Sequence, residues 1–217
     1  MSRQTVPLGA IAKVEREGVT PTRIRSGMRY VGLEHIDSSG AVQDVTVQNG
    51  DLASTKFAFT RDHILFGKLR PYLRKVARPE FDGICSTDII PIMPGERVDR
   101  GYLFHFLRVD EVIEKAASLA TGVNLPRLSP RILETFAVPL PSLHKQRRIA
   151  AILDQSDDLR RKRRDALDGL DRLQSSVFAT MFGNLEKNTC RWPKRELSSV
   201  VRELSPNLGD GKGQAAA

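Results

Sequence analysis

The sequence predicts an α+β fold: a mixed globular domain over residues 1–141, then a long projecting α-helix over residues 142–183. Three observations predict it. Short β-branched and apolar runs, punctuated by glycine and proline, fill the chain up to Gly95. Beyond that point the apolar residues recur at helical spacing. Finally, the stretch from Ser142 to Gly183 contains no proline, and its only internal glycine is Gly169.

Taken in order, Val6 to Val14 (VPLGAIAKV) reads as a short strand or helical turn. Tyr30 to Leu33 reads as a strand, Asp37 to Gly40 as a turn, and Val42, Val45 and Val47 as a further strand before an Asn49-Gly50 turn. His63 to Ala77 is strand-like, interrupted by Gly67 and Pro71. Ile84 to Met93 (ICSTDIIPIM) reads as one buried strand that holds Cys85 in the core. Asp99 is placed to cap a helix carrying Leu103, Phe106 and Leu107. Asp110 starts another, carrying Val112, Ile113, Ala116 and Leu119, which Thr121-Gly122 stops. Residues 122–130 form a loop, and Ile132, Leu133, Phe136 and Val138 return to the core. Pro139-Leu-Pro141 is a stiff hinge into the long helix.

Within that helix Ile152, Leu159, Ala166 and Leu173 recur every seven residues, with Leu170 and Val177 on the adjoining row. A heptad repeat keeps one seam facing a partner helix. Ser156 and Arg163 interrupt it, so a short coiled coil with polar breaks is expected. At roughly 1.5 Å per residue the helix spans about 60 Å, too long to fold over a small domain. Ser142 is the candidate N-cap and Gly183 the candidate stop. Past it, Pro193, Leu197, Val200 and Val201 echo Pro7, Leu8, Ile11 and Val14, a weak internal repeat that reads as the stub of a second copy. GDGKGQAAA at the end reads as a disordered tail.

The chain carries 34 Lys+Arg against 26 Asp+Glu, formally +8. This balance points to a polyanionic partner, nucleic acid first; the alternative is a basic protein without one. Cys85 and Cys190 form no disulfide framework or metal cluster and suit a reducing cytosol. The first residues lack the apolar core of a signal peptide, and no apolar run approaches a membrane span. A cytoplasmic, soluble protein is expected.

Enzyme signatures are missing. No glycine-rich phosphate loop or nucleophile elbow occurs, and His35, His63, His105 and His144 show no metal-ligand spacing. Glu34/Asp37 and Glu80/Asp82 are spaced like nuclease carboxylates, but no lysine motif follows. The basic residues do cluster. Lys68, Arg70, Arg74 and Lys75 surround Tyr72, a set able to hold phosphates and offer a stacking contact. On the other reading these cations are solvated over a core of Leu69, Tyr72 and Leu73. A second candidate is the loop TGVNLPR, where Thr121, Asn124 and Arg127 have the groups that read base edges in the major groove. Arg160 to Arg164 wrap the helix, so they divide between acidic neighbours and DNA phosphates or a partner subunit.

PLPSLHKQRRIAAILDQSDDLRRKRRDALDGLDRL and FATMFG resemble the conserved region of type I restriction-modification specificity (S) subunits. YVGLEHID, DHILFGKLRPYLRKVA, GICSTDIIPIMP and the TG…LS segment are similar to that family's target recognition domain. The resemblance implies a non-catalytic reader of double-stranded DNA in a half-length form: a recognition domain at 1–141, a spacer and dimerisation helix at 142–183, and a stub with tail at 184–217. It implies an antiparallel coiled-coil homodimer through Ile152, Leu159, Ala166, Leu170, Leu173 and Val177. No cofactor is expected on this chain. Modification and restriction subunits would dock on it, bringing S-adenosylmethionine, ATP and Mg. The alternative is a truncated S subunit that regulates or competes with a full-length one.

Overall fold

The computed structural model describes residues 5–43, 45–47, 52–183, 187–188, 191–197 and 199. It divides into two compact units, Met1–Arg160 and Arg161–Ala217.

The first unit opens with β1 (Thr5–Pro7), a 3-10 turn, and β2 (Ala12–Val14). Two short strands follow, β3 (Gly18–Val19) and β4 (Tyr30–Val31). Then come β5 (Lys56–Phe59), β6 (Ile64–Gly67), β7 (Val76–Ala77), β8 (Gly83–Cys85) and β9 (Ile89–Pro94). The helical part comprises α1 (Arg100–Leu107), α2 (Asp110–Ser118) and α3 (Pro130–Glu134), and then β10 (Ala137–Pro139) leads into α4 (Leu143–Phe182).

One antiparallel sheet runs β2-β9-β6-β7 and another sheet runs β3-β5-β8-β4, with β4 parallel to β8. β1 pairs with β10, Val6 opposite Val138, which ties the start of the chain to the entry of the long helix. β6 is buried on both faces, so its side chains alternate between two cores. Ile64 and Phe66 join the large core with Leu103, Leu107, Ile113, Leu133 and Phe136, while Leu65 packs with Val31, Cys85 and Ile89. Each large side chain fully buried this way stabilises by about 1.5–3 kcal/mol.

Several expectations meet the structure directly. Asp99 caps α1, its side chain accepting from the Tyr102 N–H at 3.0 Å. Asp37 Oδ1 organises its turn, accepting from the Ser39 and Ala41 N–H groups. Cys85 is fully buried, and burial pushes its thiol pKa up. Other expectations fail. Ile84–Met93 is two strands in two sheets, because Ser86-Thr87-Asp88 turns the chain: the Ile89 N–H donates to the Ser86 carbonyl at 3.0 Å. Val42, Val45 and Val47 form no strand; that segment makes only isolated bridges, Ile36 to Val42 and Arg29 to Thr46. The Tyr30–Leu33 strand stops at Val31, where a 3-10 turn over Leu33–His35 takes over and the Gly32 N–H donates to His35 Nδ1 at 3.0 Å. β5 is a strand that the sequence reading did not anticipate. Asn49-Gly50, Cys190, Val200, Val201 and the GDGKGQAAA tail lie outside the described residues.

α4 is a single helix of 40 residues. Its opening turns belong to the first unit. Gln146, Ala150, Asp154 and Asp157, spaced four, four and three apart, lie on one face of it. Gln146 is fully buried: its Oε1 accepts from the Asp99 N–H at 2.8 Å, and its Nε2 donates to the Pro141 and Arg97 carbonyls. Arg78 and His105 meet Asp154, and Arg108 meets Asp157 at 2.7 Å. Arg78 and Arg108 also both lie over the Phe104 ring. The coiled-coil seam is a different face. Ile152, Leu159, Leu170, Leu173 and Val177 are all exposed, as is Ala166.

In the second unit α4 ends at Gly183, whose φ of 71° lies in the left-handed region and whose N–H donates to the Ala179 carbonyl at 2.8 Å. Phe178, Phe182 and Trp192 stack in series, with centroids 4.6 and 5.8 Å apart. Among the described residues no helix is long and apolar enough to cross a membrane.

Candidate nucleic-acid interface

The two candidate segments, more than fifty residues apart in sequence, are sewn together by backbone hydrogen bonds. The loop after α2 is closed on itself: Thr121 and Arg127 exchange N–H donors and carbonyls at 3.0 and 2.9 Å. Gly122, at φ 116°, supplies a conformation a side chain would strain. The closed loop then zips along the extension of β6. The Arg70 N–H donates to the Pro126 carbonyl at 2.8 Å, and the Leu128 N–H to the Lys68 carbonyl at 2.9 Å. The Arg70 guanidinium donates to the Asn124 carbonyl at 3.3 Å.

Lys68, Arg70, Thr121, Asn124 and Arg127 therefore share one surface. Val123 at the loop tip is fully exposed and Leu125 half-exposed, so apolar groups flank the cations. Tyr72 is half-exposed in a 3-10 turn, Pro71–Leu73, bracketed by Arg70 and Arg74 at φ 50° and 57°. Two non-glycine residues in the left-handed region are costly, and such strain concentrates where a loop is shaped for a task.

Not every predicted cation joins this surface. Arg74 pairs with Asp110 at the first turn of α2. Lys75 turns inward, its Nζ donating to the Ile36 carbonyl. The sequence reading missed Asp88, which receives Arg127 Nε on Oδ1 at 2.9 Å and Arg127 Nη2 on Oδ2 at 3.4 Å. The hydrogen bond and charge of Asp88 raise the pKa of Arg127. Ser-Thr-Asp, polar residues between two β-branched runs, was the signal for this turn.

The carboxylates spaced like a nuclease's have structural partners. Glu80 pairs with Arg100 at 3.2 Å, and Asp82 accepts from the Arg61 N–H at 2.7 Å. Among the described residues no group of three or more His, Cys, Asp or Glu is placed to hold a metal ion.

Residues 35–168, more than half of the chain, match the type I restriction modification DNA specificity domain. The chain belongs to that family. It is similar to the type I restriction enzyme EcoDI specificity subunit of Escherichia coli, 28% identical over 176 residues that cover 79% of this chain and 37% of that one. It is also similar to the MjaVIII specificity subunit of Methanocaldococcus jannaschii, 28% identical over 101 residues that cover 46% of this chain and 23% of that one. Among solved structures, the HsdS subunit from Thermoanaerobacter tengcongensis superposes with a TM-score of 0.62 at 28% identity, covering 84% of this chain and 50% of that one. The specificity-domain chain described here thus spans half or less of the length of these relatives. Its closed loop, the turn at Asp88 and the opening turns of α4 all fall inside the matched residues.

Proposed function

We propose that this chain is a half-length specificity subunit of a type I restriction-modification system, reading double-stranded DNA as a homodimer. The observation that carries the reading is the single surface built from Lys68, Arg70, Thr121, Asn124 and Arg127, in a chain of the DNA specificity family. Cations at its base suit phosphates, and Asn and Arg in its loop suit adenine and guanine edges. In this reading the chain does no chemistry. Methyl transfer with S-adenosylmethionine, and ATP- and Mg-dependent work, belong to modification and restriction subunits that it recruits in the cytoplasm.

The exposed seam of α4 supports pairing of two copies, because apolar surface left in water costs about 25 cal/mol per Å². Antiparallel pairing would carry the same reader at both ends. The target would then be an inverted repeat, interrupted by a spacer whose length α4 sets. Methylome sequencing of cells expressing this chain with its modification subunit tests the reading. An interrupted inverted repeat is expected, and a motif with two unrelated halves overturns the homodimer.

A further inference from the structure

We propose that Asp88 is a specificity-determining positioning residue, holding Arg127 in the pose that reads a guanine. The inference rests on the DNA-reading function proposed above and adds to it a residue and a mechanism. The pair is fixed from both sides. The Asp88 N–H donates to Ser86 Oγ at 3.2 Å, and its carbonyl accepts from the Lys68 N–H at 2.9 Å. The backbone of Arg127 is locked to Thr121 by two hydrogen bonds. The carboxylate takes the Nε side of the guanidinium, leaving the Nη1 hydrogens and one Nη2 hydrogen uncommitted to it. That outer edge is a fork of parallel donors, the shape that matches O6 and N7 of guanine in the major groove. The Arg127 side chain is 44% exposed and Asp88 25%, so the donor stands further into solvent than the acid behind it.

An arginine free to rotate spends much of its time off the base, and it also grips any phosphate within reach. A carboxylate behind it fixes the fork before binding, which removes an entropic cost from the correct complex. It also repels phosphate, which penalises sequence-blind contacts. A carboxylate serving only the fold would do neither.

The test is selection from a library of duplexes with randomised positions, using the full chain, its Asp88→Asn and Arg127→Lys variants, and fluorescence binding to the winner and to a random duplex. Asp88→Asn keeps both backbone bonds of residue 88, so the fold should hold, and thermal melting checks it. The expected result is loss of one G·C preference by roughly tenfold, with all other positions unchanged and binding to random duplex equal or tighter. Arg127→Lys should lose the same preference while keeping its charge. If Asp88→Asn weakens selected and random duplexes alike, the residue is merely structural. If the G·C preference survives Asp88→Asn, the pair is an ordinary surface ion pair. If the unaltered chain enriches no duplex at all, the DNA-reading function itself fails, and this inference with it.

Discussion

His105 on α1 and Asp154 on α4, 49 positions apart in sequence, meet at 2.8 Å between Nε2 and Oδ1. Arg78 reaches the same carboxylate at 3.1 Å, so one acid joins the β7 end, α1 and the opening turns of the long helix. Burial raises the Asp154 pKa, but the hydrogen bonds from His105 and Arg78 outweigh it and leave the carboxyl below its ordinary value. The contact fixes how the helix leaves the recognition fold, and it gives a measurable pH signature.

Replacing Asp154 with Asn should destabilise the chain by about 1–2 kcal/mol, moderated by solvent screening because the carboxylate is 40% exposed. A lowered folded-state pKa means that the stabilisation is present above the ordinary carboxylate value and is lost as pH falls through the folded one. The melting difference between Asp154→Asn and the unaltered chain should thus be full at pH 7 and shrink below about pH 4. A gap that is constant with pH would show that the ionised carboxylate is not what holds the helix.

Gln146 tests the same junction without charge. It is fully buried and makes three hydrogen bonds, two to carbonyls and one from the Asp99 N–H. Gln146→Leu should lower stability by roughly 2–3 kcal/mol, since it orphans those backbone groups. Gln146→Glu should be at least as damaging at neutral pH, because it sets a carboxylate against two carbonyl oxygens. Denaturant titration reads both variants.

Lys68 and Lys75 should separate cleanly. Lys68 lies on the shared surface, so Lys68→Ala should reduce the slope of log K against log salt by about 0.9 with little change in melting. Lys75 donates to the Ile36 carbonyl instead, so Lys75→Ala should lower the melting temperature and leave the salt slope unchanged. Equal salt slopes for the two variants would take Lys68 off the phosphate backbone.

The seam is tested by charge. Leu159 and Leu170 are 60% and 61% exposed. Leu159→Asp with Leu170→Asp should convert dimers to monomers in light scattering while melting of the recognition fold barely moves. A double variant that stays dimeric would put the interface elsewhere.

Much of this was legible in the residues. A helix without proline from Leu143 to Phe182, its glycine stop, the Asp99 cap and the buried β-branched runs are local matters: period, caps and turn chemistry act within a few residues. The heptad row was equally legible, because exposure along a helix follows from spacing alone. Tertiary structure decided what depends on distant partners. Lys68, Arg70, Lys75 and Arg127 are alike as cations, and only backbone pairing between residues 68–70 and 126–128 places three of them on one surface while Ile36 draws Lys75 away. Likewise the polar face of α4 carried no apolar period to betray it. Gln146 and Asp154 become docking residues only because Asp99, Arg78 and His105 arrive from elsewhere, and hydrogen-bond complementarity, unlike hydrophobic period, leaves no mark on one segment alone.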